Sequence, residues 1–308
     1  MQFFVALQNV GVALLYLVPG FLLRKFHKAS EEHLPTLSAI LIYIGTPALI
    51  VSAFMDLEFS VKDVVNMGLL FVATFILQVL FILIVFLVCR RKRTDPRVRV
   101  TAVGSVMGNV GFFGMPIMRA LFPDNPEISC YVAVFMVTMN ILAFTVGAFC
   151  LTGEKRFVSV KSAFFNPTLI GFVIAVPIYL FGMRTYIPSV LAGAVTTVSS
   201  FTMPLCMFVL GIRLASKPLR TIFSKPVVYL ITAAKLLIFP LFSYGIVSLF
   251  PLPYTFRAAI LILFGTPCAA VLLSLAEMHR GETELAADSI LVSTVCCVAT
   301  IPLLTLLL

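Results

Sequence analysis

Charge is what this 308-residue chain has little of: 11% of its residues are charged, against 61% hydrophobic. A soluble domain carries about 25% charged and about 45–50% apolar residues, and a fold this short has no interior large enough to hide the excess. That excludes a soluble globular protein and leaves a polytopic membrane protein, in keeping with a mean hydropathy of +1.11. Histidine is scarce as well. His27, His33 and His279 sit at the ends of apolar runs, with no H-E-x-x-H or G-x-S-x-G among them, so hydrolase chemistry finds no motif. The seven cysteines include no C-x-x-C, which speaks against a zinc site or a disulfide framework. Carboxylates avoid the apolar runs: Asp56, Glu58 and Asp63 share one loop, and Glu277 and Asp288 flank another. A proton antiporter built on buried acids is disfavoured on that ground.

What is present are apolar runs of membrane-crossing length, about 20 residues each. Charges and Pro/Gly clusters cut the chain into ten of them, near 3–23, 34–55, 64–89, 100–122, 128–151, 162–182, 187–212, 226–250, 256–276 and 285–308. The first ends at Arg24-Lys25 and is too long for a signal peptide. The net charge of +9 comes from Lys and Arg in the connecting loops, 17 of 22 in those after spans 1, 3, 5, 7 and 9. Topology accounts for that charge better than a nucleic-acid partner does. The positive-inside rule puts those loops in the cytoplasm and both termini outside, as expected for a multi-pass protein of the cell membrane.

The halves echo each other. Gly20-Phe21 recurs as Gly171-Phe172 and Pro116 as Pro267, both 151 residues on, and Pro47 pairs with Pro204 in the second span of each half. Five spans per half is an odd number, so the second copy starts from the opposite face. The expected fold class is an all-α integral membrane protein of ten transmembrane helices in two inverted five-helix repeats, as in many secondary transporters. The first repeat is 1–151, the linker 152–161 and the second repeat 162–308.

Gly104–Pro116 reads G-S-V-M-G-N-V-G-F-F-G-M-P. Four glycines, at about 1 kcal/mol each against Ala, and a proline at about 3 make a continuous helix costly. Pro116 crowds the carbonyl of Phe112 and lacks a donor, which puts the expected unwound stretch at Asn109–Gly114. Close helix packing through Gly104, Gly108 and Gly111 is the plainer account of the same glycines. Gly265-Thr266-Pro267 interrupts span 9 in the same manner, antiparallel to span 4. Two interrupted helices meeting at mid-membrane present half-helix N-termini, which suit an anion, and freed carbonyls, which suit Na⁺ or a donor. Asn109, Gly111, Pro116, Thr266 and Pro267 are therefore candidate substrate-binding residues. Lys235 lies deep in span 8, and two roles fit it: counter-charge for an anion, or a donor to carbonyls loosened by Pro240. Asn140 in span 5, and more weakly Gln78 in span 3, are further candidates; a structural interhelical hydrogen bond is the competing role for both.

Ten spans, Asn109-Val110-Gly111-Phe112-Phe113-Gly114-Met115-Pro116 in the fourth, and the Pro267 break in the ninth resemble the auxin efflux carrier family. That family includes bacterial malate and malonate permeases and is related to the plant PIN auxin transporters. The resemblance implies broken, crossing helices 4 and 9, with substrate bound where they cross. Spans 1, 2, 6 and 7 would form a scaffold, and spans 3–5 and 8–10 a moving transport domain. It also implies a homodimer through spans 2 and 7. The short Thr152–Lys161 loop departs from the long-loop plant members.

The expected function is a secondary or facilitated transporter, not an enzyme, that moves a small organic anion (a carboxylate such as malate or malonate, or an auxin-like acid) by alternating access. No cofactor is expected, with Na⁺ or H⁺ coupling left open. A sensor that binds the anion without moving it, a passive channel, and a sodium-coupled symporter like the bile-acid carriers are the alternatives.

Overall fold

The computed structural model describes residues 1–55, 57–278 and 282–308, so Asp56 and His279 lie outside the described residues. The chain is helical, and among the described residues the one extended pairing is an antiparallel bridge between Gly108 and Cys268. In chain order the main helices are α1 (Gln2–Lys25), α2 (Glu31–Met55), α3 (Val61–Val88), the short pair α4 (Pro96–Gly104) and α5 (Val110–Leu121), α6 (Glu127–Thr152), α7 (Lys155–Leu180), α8 (Ser189–Ser216), α9 (Pro226–Val247), a second short pair α10 (Tyr254–Phe264) and α11 (Ala270–Met278), and α12 (Thr283–Leu307). Eight of them, all but the two short pairs, are long and apolar enough to cross a membrane. Spans 4 and 9 of the sequence are the two short pairs.

The prolines explain much of the local shape. Wide turns, bonded i to i+5, run over Leu41–Gly45 in α2, Val110–Gly114 in α5 and Ala234–Ile238 in α9. Each ends two residues before a proline: Pro47, Pro116 and Pro240. The carbonyl that such a proline would crowd, four residues back, falls inside the wide turn, and the extra residue moves it aside. Three prolines thus widen their helices without interrupting them. The expectation that Asn109–Gly114 is unwound needs correcting accordingly. The helix lapses at Ser105–Asn109, and Val110–Gly114 is already helical.

Two helix pairs touch backbone to backbone. A Cβ at Gly20 in α1 would lie 2.2 Å from the carbonyl oxygen of Phe208 in α8, and one at Gly211 in α8 would lie 2.1 Å from that of Leu17. A Cβ at Gly171 in α7 would lie 2.8 Å from the Cα of Pro47 in α2. The Ser52 and Ser199 hydroxyls, 2.8 Å apart, tie α2 to α8. These four helices form one group; α3 packs on α6, and α9 on α10 and α12. Gly153, at φ 74°, ends α6 in the left-handed conformation that favours glycine.

Candidate functional site

Between α4 and α5, and between α10 and α11, the chain runs extended for a few residues, and the two extended stretches cross antiparallel. The Asn109 N–H donates to the Pro267 carbonyl at 2.7 Å, and the Ala269 N–H to the Met107 carbonyl at 3.1 Å. Backbone freed from a helix inside a membrane must find partners in the protein, and here each break serves the other. The Cys268 N–H is taken by the Ser293 hydroxyl at 3.0 Å. Gly108 is the tightest point: a Cβ there would lie 2.6 Å from the Thr266 hydroxyl and 3.0 Å from the Lys235 ammonium.

Behind the crossing sits Lys235, fully buried on the wide turn of α9. Its ammonium donates to the carbonyl of Phe264, the last residue of α10. That carbonyl has no helical successor to accept from, and a cation at a helix C-terminus also meets the negative end of the dipole. The carbonyl it serves was loosened by the span 9 break, not by Pro240.

In front of the crossing opens a cavity of about 570 Å³. Asn109, Gly111 and Asn140 line it, as do Gly108, Val110, Phe112, Ala269, Ala270 and Val271 from the crossing itself. The far walls come from Leu41 to Pro47 of α2, Ser162 to Ile170 of α7, Cys206 to Arg213 of α8 and Ala287 to Leu291 of α12. The stretches of α7, α8 and α12 belong to the half of each helix nearest the Lys/Arg-rich loops and that of α2 to its middle, so the cavity lies toward that side. Buried Phe54, Phe113, Phe135 and Phe264 fill the opposite side.

Polar side chains line the cavity along α2 and α7 (Ser38, Tyr43, Thr46, Ser162, Asn166 and Thr168) and at the crossing. The Asn109 amide nitrogen donates to the Cys206 thiol at 3.6 Å and that of Asn140 to the Met136 carbonyl at 2.9 Å. Neither side-chain oxygen has a protein partner among the described residues. The first N–H groups of a helix find no carbonyl within it. Val110, Gly111 and Phe112 of α5 and Ala270 and Val271 of α11 occupy those positions, and all five residues line the cavity. Two half-helix N-termini therefore meet at its upper wall, and the rest of the lining is largely apolar.

The remaining candidates stand elsewhere. Thr266 and Pro267 belong to the frame of the crossing, the Thr266 hydroxyl bonding the Leu263 carbonyl at 2.7 Å. Pro116 lies within α5, seven residues past Asn109, and is not part of the cavity wall. Gln78 is buried in α3, donating to the Thr74 carbonyl at 2.9 Å, also away from the cavity. Sequence reasoning missed Arg213, counted there as a loop charge; it lies in the last turn of α8 and is, among the described residues, the one charged residue of the lining.

The profile of a protein family described as "Membrane transport protein" matches residues 6–159 and 154–305. An uncharacterized transporter of Methanocaldococcus jannaschii is 26% identical over 296 residues, covering 92% of this chain and 93% of the relative. A second uncharacterized transporter, from Methanothermobacter thermautotrophicus, is 27% identical over 308 residues, covering 98% of each. With nearly its whole length matched, this chain belongs to that family of membrane transport proteins, the auxin efflux carrier family its fourth-span motif resembles.

Proposed function

We propose that this protein carries a small organic anion across the cell membrane by alternating access, binding it in the cavity in front of the crossing. One observation carries the reading: two half-helix N-termini, with Asn109 and Asn140 beside them, line one wall of a cavity whose remaining lining is largely apolar. Unpaired N–H groups at the positive end of a helix dipole select negative charge, and the apolar remainder suits a carboxylate with a hydrocarbon body.

Counting each short pair as one crossing yields ten, in two inverted repeats. The Gly108–Cys268 bridge supports this, because its two flanking hydrogen bonds, Asn109 to Pro267 and Ala269 to Met107, exchange with each other under an offset of 160 (268 minus 108). On that register Asn109 corresponds to Ala269, and Pro116 is not the counterpart of Pro267. The glycine contacts support it too: Gly20 of span 1 meets span 7, and Gly171 of span 6 meets span 2. The two family matches meet inside the 152–161 linker. Spans 1, 2, 6 and 7 then form a scaffold on which spans 3–5 and 8–10 move as an elevator, the cavity lying between them. With both termini outside, the cavity faces the cytoplasm. The exposed apolar residues Ile40 and Ile44 of α2 and Val190, Leu191 and Phe201 of α8 offer a face to a second copy.

Counterflow in proteoliposomes tests the reading. Vesicles loaded with one of malonate, malate or indole-3-acetate should accumulate the labelled form of that acid, saturably, and imposed Na⁺ or pH gradients will identify coupling. Flux that is linear in concentration and indifferent to counterflow would mean a pore; binding without flux would mean a sensor.

A further inference from the structure

Arg213 stands apart from the other partly buried cations on the Lys/Arg-rich side of the protein. Lys217, one residue past the end of α8, is 3.6 Å from the Asp288 carboxylate. Lys225, just ahead of α9, reaches Asp288 at 2.8 Å and Glu284 at 3.0 Å. Arg24 donates to the Ser216 hydroxyl at 3.0 Å. Arg213 has no ion pair and no side-chain hydrogen bond among the described residues, yet it is only partly exposed and lines the cavity. Position at a helix C-terminus accounts for the sign of its charge; it does not account for an unpaired guanidinium inside a largely apolar chamber.

Hydroxyl and amide side chains of α2 and α7 (Ser38, Tyr43, Thr46, Ser162, Asn166 and Thr168) also line the chamber, but its charge stands apart from the crossing. At the crossing are neutral donors and acceptors, Asn109, Asn140 and the helix N-termini. Arg213 is seven residues along α8 from Cys206, which touches Asn109, and at 1.5 Å per residue that is about 10 Å. We infer that Arg213 is the charge-selecting residue of this site: a ligand whose polar end reaches the crossing presents a carboxylate to the guanidinium of α8. The inference rests on the anion reading above and deepens it. The 10 Å separates residue positions along α8, and the long Arg213 side chain shortens the gap a ligand has to span; the substrate class is an organic acid whose carboxylate Arg213 discriminates from the uncharged amide. A planar guanidinium offers two parallel N–H bonds to a carboxylate, which a lysine does not reproduce.

The test uses the full chain in lipid nanodiscs. The probes are malonate, succinate, adipate, hexanoate and indole-3-acetate, each beside its amide, read by shift in melting temperature and by Kd. Wild type should bind at least one of the acids about tenfold or more tighter than its amide. Arg213→Gln should cut that difference several-fold, leaving the share that the helix N-termini supply, and Arg213→Lys should restore part of it. Asn109→Ala should weaken acid and amide alike. An Arg213→Gln protein that still prefers the acid by the wild-type factor would overturn the role of Arg213 and leave the anion reading standing. If no acid of the panel stabilises wild type, both fall. Phenylglyoxal, which modifies arginine, serves on the wild type should Arg213→Gln not fold. Peptide mapping should show Arg213 protected by the binding acid and not by its amide; equal modification with either ligand would refute the inference.

Discussion

The front and the back of the crossing are built from the same two stretches of chain and differ in how their polar groups are spent. At the back, Thr266, Lys235, Phe264 and Ser293 are buried and bonded to one another or to adjacent backbone groups. At the front, Asn109, Asn140 and Arg213 keep unpaired capacity directed at a cavity. A helix break in a membrane has two separate consequences: backbone groups that must be satisfied for the fold to exist, and backbone groups left over for a ligand. This chain puts the first on one face and the second on the other. The two faces should therefore respond to mutation in different observables.

The largest expected effect is at the back. Gly108→Val drives a side chain into the Thr266 hydroxyl and the Lys235 ammonium, and overpacking of this kind costs about 3 kcal/mol or more where backbone cannot yield. Loss of monodisperse protein on size-exclusion chromatography is the expected result. Gly108→Ala combined with Thr266→Ala should recover part of the melting temperature lost by Gly108→Ala alone.

Next comes the front. Asn109→Ala removes only the 3.6 Å contact to Cys206 and an unpaired oxygen, so melting temperature should move by a few degrees at most. Affinity for the transported acid should fall about tenfold, the worth of one well-made hydrogen bond. Equal losses in both observables would erase the distinction between the faces.

Lys235→Met sharpens the comparison further. Leaving the Phe264 carbonyl without its donor costs about 1–3 kcal/mol, and removing an ammonium from the membrane interior returns about 2.5–3.5. These nearly cancel, so stability should change by about 1 kcal/mol or less, and Kd for the acid should stay at its wild-type value. A large loss of affinity would make Lys235 the counter-charge after all.

The smallest effect lies at the loop end. The Asp288 carboxylate, aided by Glu284, holds the Lys225 ammonium above the usual lysine pKa. A raised folded-state value means that the stabilisation is complete below the ordinary lysine pKa of about 10.4 and fades as pH climbs through the higher folded one. Lys225→Met should lower the melting temperature slightly at pH 7, because Lys217 stays 3.6 Å from the buried Asp288 carboxylate, with the deficit vanishing at strongly alkaline pH.

The eight long apolar helices were readable in the sequence because hydropathy needs no knowledge of neighbours. So was the span 9 break at Gly265-Thr266-Pro267. The span 4 break was misplaced by several residues, since Pro116 and the glycines up to 114 are accommodated in a wide helical turn, and it is pairing with span 9 that holds Ser105–Asn109 open. Asn109 and Asn140 could be picked out as amides in apolar runs. Arg213 could not, because an arginine near a helix end reads as an interfacial charge until the rotation of that helix is known. The partner of Lys235 was equally hidden: Phe264 lies 29 residues away in sequence.

The glycine contacts also restrict how the molecule can work. At Gly20, Gly211 and Gly171 no side chain separates the two backbones, so neither helix can slide past the other without forcing atoms into a carbonyl or a Cα. These joints behave as rivets, whereas the cavity walls between them and the crossing consist of side chains and are free to shear. Any stroke of several ångströms must pass along the walls. A disulfide placed across a riveted pair should then leave turnover intact, while one placed across the cavity should stop it.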